Sequence, residues 1–248
     1  MQYGICHLSI VPIRSNAEET AEMISQLLYG EHFKVLEQRK NWSKIRAAFD
    51  QCEGWVQNLQ IILIDENEYT ILNSDDSPEH TVDLVSFVEM EKSNLLPIVL
   101  GSVFHKTSNH VHEGNLISSK QVKPNLIDTA LLYLNSAYLW GGKTPFGIDA
   151  PGLTQMVYRI NGYKLLRNAA EQATQGIALS FLEECEAGDL AFFDNNEGII
   201  DHVGIIMDNN YIIHVHGKVR IDRIDHSGIF NNDTKTYTHQ LRVIKKII

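Results

Sequence analysis

The sequence predicts an α+β fold, in which a small β-rich region comes first and a helical segment followed by an antiparallel sheet comes last. Three observations support this. Residues 1–62 contain short β-rich runs separated by polar or glycine-containing turns, residues 124–162 hold two stretches with apolar residues at helical spacing, and strand-like runs occupy residues 190–248. Helices grouped apart from the strands that follow them are typical of α+β domains.

Length and composition restrict the class of protein. A chain of 248 residues can form one large domain or two to three small ones. Its 44% apolar and 21% charged residues are typical of a globular protein in water. The net charge of −10, without clustered Lys and Arg, argues against nucleic acid as a partner. No run approaches the roughly 18–20 apolar residues of a membrane span, and the first residues do not resemble a signal peptide, so we expect a cytoplasmic protein without a membrane partner.

Cysteine usage predicts reduced thiols. The chain has three cysteines, Cys6, Cys52 and Cys185, which is an odd number without CxxC spacing. A disulfide framework or a cysteine zinc site is therefore not expected, and no cofactor is expected either.

The first 123 residues are predicted to be largely β-structure. In residues 1–62 the turns and the Gly54-Trp55-Val56 run resemble a bacterial SH3-like (SH3b) domain, with any other small β-barrel as the alternative. Residues 63–123 are predicted to form a second SH3-like unit or a linking β region. Within them, residues 61–72 suggest a strand pair, residues 80–91 a helix or strand, residues 96–104 a strand and residues 106–115 a loop.

Residues 124–248 begin with the two helix candidates. Pro124 opens the first, which covers residues 125–137, and the second covers residues 152–162 and ends at Gly162, a residue typical of the end of a helix. A glycine-rich loop lies between them.

The segment 138-YLWGGKTPFGIDAPGLTQMVYRI-160 resembles the nucleophile segment of the NlpC/P60 cysteine peptidases. In that family a loop rich in Gly and aromatic residues ends in Asp-Cys-Ser-Gly, and a helix follows. Here the same positions read Asp149-Ala150-Pro151-Gly152. The position of the attacking sulfur holds a methyl group, so thiolate chemistry at position 150 is excluded. The resemblance implies a papain-like α+β domain over residues 124–248.

The sequence around position 150 keeps the setting of such a nucleophile. A cysteine at a helix N-terminus has a lowered pKa because the helix dipole and unpaired N–H groups favour negative charge. Asp149 is a credible N-cap and Ala150 the first helical residue. Pro151 is tolerated in the first turn, but it disfavours the α region for Ala150 and removes an amide and a hydroxyl group.

The resemblance also implies a base and an orienting residue. His202 begins the segment 202-HVGI-205, which matches the family's base, and His214 falls where the family places its third polar residue. Two members of a Cys-His-His triad are thus retained. His216 shares a strand face with His214, and with His202 it suggests an imidazole site for zinc or nickel. No carboxylate or cysteine at ligand spacing supports that alternative, so no metal site is expected.

Two other side chains could in principle replace the missing sulfur as the nucleophile. Thr154 lies one turn beyond Ala150, too far along the helix to meet the same base. Cys185 lies in an acidic segment, where neighbouring carboxylates are expected to raise the pKa of its thiol. Neither is expected to act.

The substrate side resembles one branch of the family. The loop before Ala150, the segment 187-AGDLAFF-193 and the SH3b region resemble the γ-D-glutamyl-L-diamino acid endopeptidases of the dipeptidyl-peptidase VI type, which cut murein peptides. The resemblance implies that Tyr138 lines the pocket, that Asp149 holds the free amine of L-Ala, and that Trp140 and Pro151 border the ligand. For Tyr138 and Trp140 the alternative is plain packing.

These observations lead to three alternative hypotheses for the function of the protein. The first is a catalytically inactive homologue that binds murein peptides such as L-Ala-γ-D-Glu-diamino acid without cleaving them. The second is a γ-D-glutamyl-L-diamino acid endopeptidase of murein peptide recycling, inactivated by substitution at Ala150. The third is an SH3b-based scaffold with an unknown protein partner. Pro151 favours natural loss over deliberate inactivation, because an added proline beside the alanine risks the local backbone.

Overall fold

The computed structural model describes residues 1–90, 94–105, 110–195 and 197–248. The chain forms two compact units. The first comprises Met1–Lys120 and Trp140–Thr144, and the second comprises Gln121–Leu139 and Pro145–Ile248. The predicted boundary between residues 62 and 63 lies inside the first unit, and the second unit begins close to the predicted boundary at residue 124.

The first unit opens with a seven-stranded antiparallel sheet in the order β3-β2-β6-β5-β4-β1-β7. Alternation of side chains positions its core: along β5, Ser43, Ile45 and Ala47 are buried while the residues between them are partly exposed. Its strands are β1 (Gln2–Ile5), β2 (Ile10–Arg14), β3 (Met23–Leu28), β4 (His32–Gln38), β5 (Trp42–Ala47), β6 (Glu53–Gln57) and β7 (Ile62–Ile64).

One prediction in this unit is half wrong. Residues 61–72 suggested a strand pair, but only β7 is a strand, and the helix α1 (Glu66–Asn73) follows it. The side chain of Asp65 accepts a hydrogen bond of 2.8 Å from the Glu68 amide, so Asp65 caps the helix. Asp65 followed three residues later by Glu68 is a signal for the start of a helix. The chain therefore forms a helix here, although the apolar residues before Asp65 suggested a strand pair.

The remainder of the first unit consists of two three-stranded sheets, in the orders β10-β9-β12 and β11-β8-β13. Of the predicted segment 80–91, the described residues 80–90 thus provide strands, not a helix. Residues 106–109 of the predicted loop lie outside the described residues. The strands of these two sheets are β8 (Glu79–Thr81), β9 (Val85–Met90), β10 (Asn94–Val99), β11 (Val103–Phe104), β12 (Val111–Glu113) and β13 (Leu116–Ile117). The short strand β14 (Lys143–Thr144) lies later in the chain and also belongs to this unit.

The second unit combines short helices with a closed barrel. Its sheet has the order β16-β22-β17-β18-β19-β20-β21, and β21 also pairs with β22, which closes the last six strands on themselves. The helices are α2 (Asn125–Leu131), α3 (Ala150–Ile160) and α4 (Ala169–Gln172). The strands are β15 (Gly147–Ile148), β16 (Ile177–Leu179), β17 (Leu190–Asp194), β18 (Ile200–Met207), β19 (Tyr211–His216), β20 (Lys218–Asp225), β21 (Gly228–Asn231) and β22 (Thr236–Lys246).

Helix α3 is the central helix of the second unit. It packs against β18 and β19 and against α2 and α4. Every residue from Gly152 to Ile160 is buried, which explains why its sequence is apolar on most sides. The predicted first helix is shorter than expected, since α2 ends at Leu131. No helix among the described residues combines the length and the apolar character that a membrane crossing requires.

Candidate functional site

The start of α3 carries the position of the missing nucleophile. Asp149 is the N-cap, with extended backbone angles (φ −99°, ψ 172°), and its Oδ1 accepts a hydrogen bond of 2.7 Å from the Gly152 amide. Ala150 is the first helical residue and is only 4% exposed. The predicted N-cap is confirmed, and a buried methyl group lies at the position that a nucleophilic sulfur would take.

Pro151 does not move Ala150 out of the helix. Although a proline disfavours the α region for the residue before it, α3 begins at Ala150. The Pro151 carbonyl accepts hydrogen bonds from the side-chain Nε2 of Gln172 (2.9 Å) and from the Thr154 hydroxyl (3.0 Å). Pro151 therefore changes this site by removing a backbone N–H group. The expected change in the backbone conformation of Ala150 is absent.

The carboxylate of Asp149 has a cationic partner that the sequence did not indicate. Arg167 donates from Nη1 to Asp149 Oδ1 (3.0 Å) and from Nη2 to Oδ2 (2.7 Å), and both side chains are buried. Such two-point pairs fix orientation as well as balancing charge. Arg167 lies two residues before α4, and no local pattern connects it to Asp149.

The two predicted histidines meet inside the barrel. His202 on β18 and His214 on β19 are both buried, and His202 Nε2 lies 3.0 Å from His214 Nδ1. His214 Nε2 lies 3.1 Å from Oδ2 of Asp222 on β20, which is also buried. Adjacent strands thus present one residue each, and together they form a chain of side-chain hydrogen bonds.

Arg220 completes this chain and fixes the direction of its protons. Its Nε and Nη2 donate to Oδ2 (2.6 Å) and Oδ1 (2.9 Å) of Asp222. Burial acts to raise the pKa of Asp222, but hydrogen bonds from His214 and Arg220 outweigh it and hold that pKa at about 2. An ionised Asp222 only accepts, so His214 carries its proton on Nε2 and accepts at Nδ1. His202 then donates from Nε2, which leaves its Nδ1 unprotonated and able to act as a base.

Burial keeps these imidazoles neutral. It lowers the pKa of His202 well below the ordinary value, and the neighbouring histidines His239, His214 and His216 add to the effect. Burial also lowers the pKa of His214, and the Asp222 carboxylate opposes this only in part. A base that is unprotonated at neutral pH is thus retained without a nucleophile to activate.

A third histidine in the site was not anticipated. His239 on β22 stacks on His202, with ring centroids 3.8 Å apart and an angle of 19° between the planes. Burial lowers the pKa of His239 to about 3, with His214 and His216 contributing. It lies 37 positions beyond His202, and only the closure of the barrel through β22 brings it here, so no local motif could have indicated it.

Tyr138 and Trp140, predicted to face the ligand, differ in their location. Tyr138 belongs to the second unit, where its amide donates to the Gly217 carbonyl (3.0 Å) and its side chain is 46% exposed. Burial of its hydroxyl and the charge of Asp149 raise its pKa. Trp140 belongs to the first unit and is 59% exposed. Their exposure disfavours the alternative of plain packing, while their role toward a ligand stays a prediction.

The structure gives neither alternative nucleophile, Thr154 or Cys185, the properties of an activated nucleophile. The Thr154 hydroxyl is buried and lies 2.7 Å from Gln172 Oε1. Burial, followed by the charges of Asp189 and Glu184, raises the pKa of the Cys185 thiol to about 11. The predicted direction for Cys185 is confirmed, although burial is the larger cause.

Comparison with known families decides the assignment. Residues 135–239 match the NlpC/P60 family, and residues 13–61 match the bacterial dipeptidyl-peptidase SH3 domain family. The chain carries an NlpC/P60 domain after an SH3 domain. The NlpC/P60 match includes Ala150, His202, His214 and His239, so the site described above belongs to that domain.

Curated relatives extend over most of the chain. A dipeptidyl-peptidase 6 from Lysinibacillus sphaericus is 25% identical over 78% of this chain and 80% of its own length. A γ-D-glutamyl-L-lysine dipeptidyl-peptidase from Bacillus subtilis is 25% identical over 77% of this chain and 71% of its own length. Both relatives are dipeptidyl-peptidases by name.

Solved structures of NlpC/P60 proteins share the fold. An NlpC/P60 family protein from Bacillus cereus superposes with a TM-score of 0.82 and 16% identity, covering 99% of both chains. An NlpC/P60 endopeptidase from Photobacterium damselae gives a TM-score of 0.70 and 17% identity, over 97% of this chain and 70% of that one. At these identities the likeness concerns the fold alone, and it agrees with the predicted α+β class and N-terminal SH3-like domain.

Proposed function

We propose that this NlpC/P60 protein binds short murein peptides, such as L-Ala-γ-D-Glu-diamino acid, without cleaving them. One observation carries the proposal: a buried Ala150 stands at the capped start of α3, while the His202–His214–Asp222 chain remains complete. The hydrogen bonds from His202 to His214 and from His214 to Asp222 still orient these rings, which supports a site that keeps its ligand although position 150 has no nucleophile.

The relatives support the ligand class. The names of the two long curated matches describe dipeptidyl-peptidases, and one of them specifies a γ-D-glutamyl-L-lysine bond. The SH3 match to residues 13–61 is to the domain family of bacterial dipeptidyl-peptidases. A ligand that contains γ-D-glutamyl linked to a diamino acid follows from these names, and its nature here is part of the proposal.

The absence of cleavage follows from chemistry. Cysteine peptidases attack the scissile carbonyl with a thiolate, and a methyl side chain has no lone pair to donate. Loss of a nucleophile typically costs about a millionfold in rate. His202 can accept a proton, but at position 150 it has no thiol to deprotonate.

The test combines calorimetry with mass spectrometry. The full chain is titrated with L-Ala-γ-D-Glu-meso-diaminopimelate, and the mixture is then analysed for the L-Ala-D-Glu product. We expect a saturable 1:1 isotherm and no product. Cleavage above trace rate would contradict the loss of activity. A flat titration would contradict the peptide-binding function and favour the SH3b scaffold.

A pair of matched variants locates the binding. Tyr138→Ala removes an exposed aromatic side chain beside the site, and Phe181→Ala removes another exposed aromatic (62%) in the same unit that is not part of the site. We expect Tyr138→Ala to weaken peptide binding at least tenfold and Phe181→Ala to leave it unchanged. Equal affinities in both variants would remove Tyr138 from the binding site.

A further inference from the structure

The histidines at this end of the barrel lie close enough to share one ion. His202, His214 and His239 each offer a ring nitrogen, and these three atoms all lie within 4.8 Å of one another. His202 and His214 are buried and His239 is partly buried. The sequence indicated only His202, His214 and His216 as candidate ligands, and the closure of the barrel adds His239.

We propose that this cluster binds a divalent transition metal of the zinc and nickel class, with His202, His214 and His239 as ligands. Imidazole nitrogen suits these ions, and three protein ligands with one open position are a common arrangement for zinc. The site goes beyond peptide binding and does not depend on it.

The distance between the first two ligands suits a tetrahedral ion. Zinc–nitrogen bonds of about 2.0–2.1 Å at a tetrahedral angle place two ligand nitrogens roughly 3.3 Å apart. His202 Nε2 and His214 Nδ1 lie 3.0 Å apart. The ion takes the place of the shared proton between them, and His202 then carries its proton on Nδ1 and stays neutral. A shift of a few tenths of an ångström accommodates the ion.

Asp222 and Arg220 already orient the second ligand, His214. His214 donates from Nε2 to Asp222, and Arg220 holds Asp222 through two hydrogen bonds. A carboxylate behind a metal-bound histidine fixes the tautomer and the ring orientation and strengthens the ligand. His214 therefore presents Nδ1 toward His202 whether or not an ion is bound.

His239 requires one movement. Its ring stacks on His202 at 19°, and two nearly parallel rings cannot both direct a lone pair at one ion. Its Nδ1 lies 2.8 Å from the Thr238 hydroxyl, which leaves Nε2 as the ligand atom. Because His239 is only partly buried, its ring can turn out of the stack. The fourth position is left to water.

The charged groups behind the cluster offset each other. Arg220 pairs with Asp222, the carboxylate that accepts a hydrogen bond from His214. The charge of Arg220 therefore does not oppose an incoming cation on its own.

The test uses the full chain without an affinity tag, dialysed against a chelator. Zn²⁺ and Ni²⁺ are titrated by calorimetry, and Co²⁺ is titrated by visible spectroscopy, where intense bands report tetrahedral coordination. We expect one ion per chain for each metal and an increase in Tm, because an ion that binds only the folded state stabilises it. Flat titrations with all three ions would overturn the proposal.

Variants assign the ligands. His239→Phe keeps a ring to stack on His202 but has no ligand atom, and we expect at least a tenfold loss of affinity together with loss of the tetrahedral Co²⁺ bands. Asp222→Asn removes the support of His214, which typically costs about 10–100-fold in affinity. His226→Gln, at a histidine whose side chain is 71% exposed, is the control and should bind as the natural chain does.

The result for His239→Phe decides the proposal even if Asp222→Asn fails to fold. Unchanged affinity and unchanged Co²⁺ bands in His239→Phe would show that the ion is held elsewhere, and would overturn it. A loss of affinity in His226→Gln equal to that in His239→Phe would have the same meaning.

Discussion

Arg167 forms a bidentate ion pair with Asp149, the residue that caps the helix at the position of the lost nucleophile. One carboxylate thus has two tasks, since Oδ1 also accepts from the Gly152 amide. The helix start concentrates unpaired N–H groups and a partial positive charge, which the Asp149 carboxylate offsets. The pair thus keeps the backbone around Ala150 in place.

Removal of Arg167 should destabilise the second unit strongly. Arg167→Met leaves the buried Asp149 carboxylate without its guanidinium, and breaking a buried pair typically costs about 3–5 kcal/mol in the free energy of unfolding. All three tryptophans, Trp42, Trp55 and Trp140, lie in the first unit. Urea unfolding is therefore followed by far-UV circular dichroism, which reports on both units, and by tryptophan fluorescence, which reports on the first, and the second unit is read from the difference.

The control is an exposed ion pair of the same unit. Arg242 is 64% exposed and lies 3.7 Å from Asp194, so Arg242→Met should change stability by less than about 1 kcal/mol. If the two arginine variants were equally stable, the buried pair would contribute nothing specific at the start of α3.

Restoring the sulfur should restore some peptidase activity. Ala150→Cys places a thiol at the capped start of α3, and this helix packs against β18, the strand that carries His202. We expect Ala150→Cys with Pro151→Ser to be faster than Ala150→Cys alone, because the serine returns an amide N–H and a hydroxyl group. Since Ala150 is helical despite Pro151, the conformation of its backbone is not the reason.

Release of L-Ala-D-Glu from the tripeptide, followed by mass spectrometry, measures both variants, and Pro151→Ser alone is the inactive control. Equal rates for the single and double variants would show that Pro151 is harmless. No hydrolysis in either would show that the loss of activity extends beyond position 150.

The features that could be predicted from the sequence are those fixed by residues close together in the chain or by a family motif. The capped start of α3 could be predicted because Asp149 and the helix it caps are neighbours in the chain. The pairing of His202 with His214 was predicted through the resemblance, and adjacent strands bring the two rings together. The α1 helix was missed although the signal of Asp65 and Glu68 was present, because the apolar run before it favoured a strand.

What could not be predicted depends on contacts between distant segments. Arg167 reaches Asp149 across 18 positions, and His239 reaches His202 only because β22 closes the barrel. Neither residue lies in a motif, and strand order and register are set by the packing of the whole barrel. The ion pair of Lys143 with Glu31 could not be predicted for the same reason, since 112 positions separate the two residues.

Lys143 should stabilise the first unit. Its Nζ donates to both oxygens of Glu31 (2.9 and 3.2 Å), and both side chains are buried. Lys143→Met leaves the Glu31 carboxylate without this cation and should lower the free energy of unfolding by about 3–5 kcal/mol. Tryptophan fluorescence during urea unfolding reports on this unit.

The double variant tests the interpretation. Glu31→Gln with Lys143→Met removes both charges, so it should lose less stability than Lys143→Met alone. A double variant at least as unstable as the single one would mean that the carbon chain of Lys143, and not its charge, stabilises the unit.

The histidine cluster should make the second unit sensitive to acid. Burial lowers the pKa of His202, His214 and His239 in the folded chain, while in the unfolded chain each returns to about 6.5. Below pH 6.5 the unfolded chain therefore binds protons that the folded chain does not. The contribution of the cluster is complete above that pH and is lost as the pH falls toward the folded value, which is about 3 for His239.

Between pH 6.5 and 5 each of these histidines should lower the free energy of unfolding by up to about 1.4 kcal/mol per pH unit. Asp222, with a pKa of about 2, stays ionised throughout this range. Urea unfolding followed by circular dichroism at pH 7, 6 and 5 measures the slope. His239→Phe should have a shallower slope than the natural chain. A slope that His239→Phe leaves unchanged would mean that His239 is not held neutral by the fold.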